Sequence, residues 1–193
     1  VALALPMGIG LWLTGPELAT VLFGSKWQGL GLVLSILALT YGLAWSVGIN
    51  TELYRAMGRP DINTKLMLVT VLLYMPAYYI AAQFSLGIFL YVRLSLVFVG
   101  IAIQVYLCRQ TLNVSPFYLW HNGKKFVLSA MAMALVIAAL KWGILPMIHV
   151  PHVSISLAIF IGTGSLIYLG CLWFLDRAFM LEIINLIKKA AFA

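Results

Sequence analysis

Arg93 is the residue whose type and position first demand a chemical explanation. It lies inside the otherwise uncharged apolar stretch 88–107. A cation there costs about 2.5–3.5 kcal/mol on insertion scales, so it either faces a cavity or a partner, or snorkels to the nearer surface. Facing a cavity, its guanidinium would grip a pyrophosphate or an acidic sugar bidentately. Arg55, Arg59 and Lys65 form a second cationic group, set where one apolar stretch ends and the next begins. Such a rim attracts a lipid diphosphate; anchoring to anionic headgroups explains the same three residues, with Glu52 and Asp61 partly neutralising them. His149 and His152 stand three apart, as metal ligands on a helix do, but Pro151 separates them and no third ligand is near, which favours an ordinary loop. Glu17 is a titratable carboxylate suited to proton coupling, although its place after Gly15-Pro16, at the end of an apolar stretch, favours helix capping. Tyr74, Tyr78 and Tyr79 flank Pro76 and suit either sugar stacking or packing in a kinked helix. No nucleophile stands with a base, no carboxylates pair at depth, and no glycine-rich phosphate loop or metal cluster is present. The pattern predicts neither an enzyme nor a bound cofactor.

The elements that must position these residues are membrane spans. Of 193 residues 64% are hydrophobic and 9% charged, with a mean hydropathy of +1.06, which leaves too little polar surface to cover a soluble core. The chain is organised around the stretch 28–57, in which residues 30–49 carry no charge and reach the roughly 20 residues needed to cross a hydrocarbon core. Before it, 1–13 reads as the end of a span that breaks at Thr14-Gly15-Pro16-Glu17, and 18–24 as a re-entrant or interfacial turn. After it come spans at 62–84, bent at Pro76, and at 88–107, joined so tightly at Ser85-Leu86-Gly87 that they must run antiparallel. An interfacial elbow holds Pro116, Phe117, Tyr118 and Trp120, and two further spans follow. In the tail, Glu182, Asn185 and Lys189 fall on one helical face and Phe179, Ile183, Ile184 and Ile187 on the other, as in an amphipathic surface helix. The expected organisation is therefore a span end with a loop (1–27), three spans (28–110), an elbow (111–125), two spans (126–175) and a tail helix (176–193). That is an all-α polytopic bundle of about six spanning helices. Cys108 and Cys171 lie in or at the ends of apolar stretches, outside any metal spacing, and read as small packing residues.

Charge sets the orientation. One side holds Arg55, Arg59, Lys65, Arg109, Lys124, Lys125, Arg177, Lys188 and Lys189, and the other only Lys26 and Lys141. Nine against two places the first group and the C-terminus in the cytoplasm. The net charge of +7 is spread over separate loops, not gathered in a patch, so nucleic acid is not an expected partner. The chain opens Val1-Ala2-Leu3 without an initiator Met, a basic region or a cleavage pattern, so its first segment is no secretory signal and the chain reads as a piece of a longer one.

Three features carry a family resemblance: Pro16-Glu17-Leu18 followed by Leu22-Phe23-Gly24-Ser25-Lys26-Trp27; the loop Ala56-Met57-Gly58-Arg59-Pro60-Asp61; and the tight turn Leu86-Gly87-Ile88. Over nearly the whole chain this resembles the C-terminal half of bacterial polysaccharide transporters of the O-antigen, colanic-acid and teichuronic-acid type, within the multidrug, oligosaccharidyl-lipid and polysaccharide exporter superfamily. The resemblance implies part of the C-terminal lobe of a two-lobe flippase in the bacterial inner membrane. Its substrate would be a lipid-linked (polyprenyl diphosphate) oligosaccharide, with membrane lipids and the missing N-terminal lobe as partners and Arg93, Arg55 and Arg59 as substrate-binding candidates. A multidrug or small-molecule exporter of the same superfamily, and a membrane-embedded polysaccharide-modifying enzyme, are the alternatives. A buried carboxylate would favour the first, and polar catalytic loops the second.

Overall fold

A computed structural model of the chain describes residues 1–27, 29–47, 50–112, 115–144 and 152–191. In order, the helices are α1 (Ala4–Phe23), a 3₁₀ turn (Ser25–Trp27), α2 (Leu30–Val47), α3 (Asn50–Ala56), α4 (Pro60–Ala82), α5 (Leu86–Leu112), α6 (Pro116–Ala139, continued by a π-helical turn Leu140–Ile144), α7 (Val153–Leu175) and α8 (Arg177–Ala191). No strand occurs among the described residues. Among the described residues four helices are long and apolar enough to cross a membrane: Pro60–Ala82, Leu86–Thr111, Trp120–Gly143 and Val153–Leu175. The expected total of about six counts α1 and α2 as well. α1 carries Pro16 and Glu17, and α2 is an apolar helix of 18 residues, about 27 Å at 1.5 Å per residue.

The most intimate packing is between α1 and α2, which run antiparallel. A Cβ placed on Gly8 would lie 2.6 Å from the Gly42 Cα, and one on Gly42 the same distance from the Gly8 Cα. Further along, Gly31 meets the Pro16 backbone, and Gly15 lies against Ser35. The two backbones therefore touch with no side chain between them, which small residues alone permit. Gly8 and Gly15 stand seven apart on α1, while Gly31, Ser35, Ala38 and Gly42 repeat at intervals of four, three and four on α2. Thr14 and Thr40, both buried, return their hydroxyls to Gly10 O at 2.9 Å and Ile36 O at 2.6 Å.

On its other side α1 meets α6 and α7, where Leu5, Leu13, Met133, Ile137, Phe160, Tyr168 and Leu172 form the core. Gly164 admits Ile137 and Met133, whereas Gly162 faces open space. The Tyr168 hydroxyl reaches Ala2 O at 2.6 Å, fixing α7 antiparallel to α1. α5 packs along α2, and α4 leans on α5 through the Tyr74 hydroxyl, 2.7 Å from Leu96 O, and through Tyr78 against Phe89. These tyrosines pack between helices, while Tyr79 is exposed.

Three sequence expectations change. α1 does not break at Thr14–Glu17 but continues to Phe23, so 18–24 is its last turns and not a re-entrant loop. The 28–57 stretch is two helices, α2 and α3, with residues 48–49 outside the described set. The aromatic elbow is the opening of α6, started by Ser115, whose hydroxyl accepts from Phe117 N.

Both glycine motifs end helices. Gly24 sits at φ +85°, and Gly58 at φ +69°. Around Gly58, Arg59 N donates to Tyr54 O at 2.9 Å and Gly58 N to Arg55 O at 3.0 Å. This is a Schellman closure of α3, and Pro60 then opens α4 where its missing N–H is not needed. Inside α3, Tyr54 is fully buried; burial, then the neighbouring Cys108 thiol, push its hydroxyl above its usual pKa.

Asp176 joins α7 to α8. Its Oδ1 accepts from Phe179 N at 3.3 Å as the α8 cap, and its Oδ2 accepts from Lys125 Nζ at 2.9 Å. The hydrogen bond from Lys125 is the main reason its pKa lies below the ordinary carboxylate value, with the Phe179 amide acting in the same direction. Phe179 then stacks edge-on against Phe126, bringing the apolar face of α8 onto the bundle.

Two outcomes are expected. Gly42→Val should destabilise the protein by about 2–3 kcal/mol, as overpacking does, while Gly162→Ala stays within about 0.5 kcal/mol; thermal unfolding in detergent checks both. Because the pKa of Asp176 is lowered on folding, its stabilisation is complete above the unfolded carboxylate value of about 3.9 and is lost as pH falls through the lower folded value. Asp176→Ala should loosen α8 by about 1 kcal/mol at pH 7 in hydrogen exchange, and this difference should vanish toward pH 2.

Candidate functional site

Arg93 lies seven residues into α5 and points at α2. Its Nη2 donates to the Tyr41 hydroxyl at 2.6 Å, and its Cζ lies 5.2 Å from the centre of the same ring. The side chain therefore reaches sideways to a neighbouring helix instead of running up to the surface. Its Nε is buried with no hydrogen-bond partner among the described residues. No carboxylate answers its charge either. Of the five acids in the sequence, Glu17, Glu52, Asp61 and Asp176 pair with Lys141, Arg55, Lys65 and Lys125, and Glu182 lies exposed on α8. A partly buried guanidinium without a counter-ion has hydrogen-bonding capacity left for an anion.

The second cationic group stands elsewhere. Arg55 is tied to Glu52 at 3.3 Å in an exposed pair of small energetic weight. Arg59 and Lys65 border a groove of about 630 Å³ between α4 and α5, closed on the far side by Tyr106, Gln110 and Thr111. Arg93 is 17 residues from Gln110 on the same helix, about 25 Å along its axis. The three expected site residues thus divide between two places. His152 is exposed at the start of α7, and His149 lies outside the described residues. Among the described residues no cluster of His, Cys, Asp and Glu suits a metal, and Cys108 and Cys171 are free.

The strongest polar contact inside the bundle was not expected from sequence. Lys141 Nζ lies 2.9 Å from Glu17 Oε1 and 3.0 Å from Oε2, and donates to Leu13 O at 2.6 Å. Both side chains are 18% exposed. Pro16 explains the third contact. Its missing N–H leaves Trp12 O without a helical donor, and Lys141 donates to the adjacent carbonyl, Leu13 O. Lys141 itself sits in the π-helical turn that continues α6, an irregularity often found at functional positions. Glu17 is therefore an ion-paired residue in mid-helix, not a helix cap. The signal was available: each is the lone charge on its stretch, the two are opposite in sign, and Lys141 is an exception to the one-sided distribution of bases.

No family model, no curated protein and no solved structure matches this chain.

Removing one partner of the pair strands the other. Lys141→Met should cost about 2–3 kcal/mol, below the 3–5 of a fully buried pair because of residual exposure, and Glu17→Gln added to it should recover most of that loss. A double-mutant cycle by thermal unfolding in detergent measures the coupling.

Proposed function

We propose that this chain is part of a flippase that moves lipid-linked oligosaccharide or polysaccharide units across the bacterial inner membrane by alternating access. In this reading α1, α2, α4, α5, α6 and α7 are six spans of one lobe, the basic end and α8 are cytoplasmic, and a second lobe of the same polypeptide completes the substrate path. The observation that carries it is Arg93. An unneutralised guanidinium inside an apolar helix, already holding a tyrosine, suits the diphosphate of a polyprenyl-linked sugar or an acidic sugar residue. Arg55 and Arg59 belong to the cytoplasmic rim where such a substrate would first be attracted. The resemblance in the two glycine motifs gives the substrate class. No enzymatic step is part of the proposal.

A second reading, a small-molecule exporter of the same superfamily, draws support from Glu17, a half-buried carboxylate held by Lys141 between two helices. The two readings separate by cargo. In cells carrying the intact gene, Arg93→Ala should lower surface polysaccharide roughly tenfold or more, the loss expected for a charged hydrogen bond, while lipid-linked intermediate accumulates and protein level stays constant. Arg93→Lys retaining export would mean that charge matters more than the bidentate fork. If deleting the gene leaves surface polysaccharide and its intermediates unchanged, the flippase reading is wrong and another cargo must be sought.

A further inference from the structure

We infer that the groove between α4 and α5 is a binding site for one anionic glycerophospholipid, held by its phosphodiester at the Arg59 and Lys65 end. This goes beyond the proposed transport function and does not depend on the cargo. The groove is amphipathic along its length. Arg59 and Lys65 supply its cations from α4, Gln110 borders it on α5, and Ile62, Leu66 and Leu107 give it an apolar lining. Val69, also in the lining, lies seven residues beyond Ile62, so the apolar residues of the lining span about 10 Å along α4. A headgroup with the first carbons of its chains matches that order of surfaces and fits the groove's 630 Å³. The chain ends would continue over α4, where Met67, Leu68 and Leu72 are exposed.

Charge selects the headgroup. Arg59 has no carboxylate partner among the described residues, and Lys65 is held only loosely by Asp61, at 3.7 Å with both side chains largely exposed. Two cations less one carboxylate leave a local charge of +1, the complement of a single phosphodiester. A diphosphate would carry more negative charge than the groove neutralises, and a choline headgroup would bring a cation for which only Asp61 is at hand. The position matters mechanically, because α4 packs on the rest of the bundle through α5 and the short α3. A lipid bridging Arg59 and Lys65 to the α5 side fastens the outermost span.

The test is native mass spectrometry of the intact polypeptide titrated with phosphatidylglycerol or with phosphatidylcholine. One phosphatidylglycerol should be retained per chain in preference to phosphatidylcholine. Arg59→Gln and Lys65→Gln should each cut that preference about fivefold, given about 1 kcal/mol per basic residue near an anionic lipid, and Lys26→Gln at the opposite end should leave it unchanged. The charge-preserving exchange Arg59→Lys with Lys65→Arg should keep the preference, which separates binding from folding. Equal retention of the two lipids by the unaltered protein, or full retention by the double Gln variant, overturns the inference. So does displacement of the phosphatidylglycerol by inorganic phosphate alone, which would mean that the chains add nothing. Displacement by an equimolar polyprenyl diphosphate overturns it too, by making the groove a substrate site.

Discussion

Backbone contact between α1 and α2 at Gly8 and Gly42 is the constraint on which the other packing rests. In lipid, helices gain nothing from hiding apolar surface that the chains of the bilayer would cover equally well, so close approach and satisfied polar groups must hold them together. The glycine seam supplies the approach, and hydroxyls returned to their own helix supply the satisfaction. Everything else attaches to this pair. α6 and α7 pack on the open face of α1, α5 on α2, and α4 on α5. A side chain inserted at Gly8 or Gly42 would therefore separate the two halves of the bundle, not merely loosen one contact.

Apolar stretches of about 20 residues made the helical class and the span positions of α4, α5, α6 and α7 legible in sequence, because in a bilayer length and lack of charge are themselves the signal. The antiparallel turn at Ser85 and the apolar face of α8 were also readable, from loop length and from 3.6-residue periodicity. Proline and glycine misled at α1. Thr14-Gly15-Pro16-Glu17 has the composition of a helix end in water, but here Gly15 is the contact point with α2, Pro16 lies against Gly31, and Glu17 finds a base on another helix. A local rule lost to tertiary packing. The same glycines, read at intervals of seven on α1 and of four and three on α2, spell out the seam, though only once the two helices are known to be partners. Conversely, Gly24 and Gly58, which carry much of the family resemblance, have a plain backbone reason to be glycine, since both occupy left-handed conformations. Their presence reports the end of a helix.

At the candidate site, the oddity of Arg93 was visible in the sequence and its setting was not. Whether a lone arginine snorkels or turns sideways depends on what stands on the neighbouring helix, and Tyr41 is 52 residues away. The acids show the same economy of charge. Four of the five are engaged by a named base, so the surplus of cations is unneutralised from within, and Arg93 carries part of that surplus seven residues into α5. This distribution is what the proposed anionic cargo and the inferred anionic lipid both rest on.

The Glu17–Lys141 pair also dates the assembly of the bundle. Its members are 124 residues apart, so at 5–20 residues per second the lysine leaves the ribosome roughly 6–25 s after the glutamate. During that interval α1 and α2 can already close on their glycines, but a charged carboxylate on α1 would face lipid with no partner. The nascent hairpin must therefore hold Glu17 where headgroups or water reach it until α6 is made. Arrival of Lys141 then gives the carboxylate its partner, so that α1, although made before α6, settles only after it.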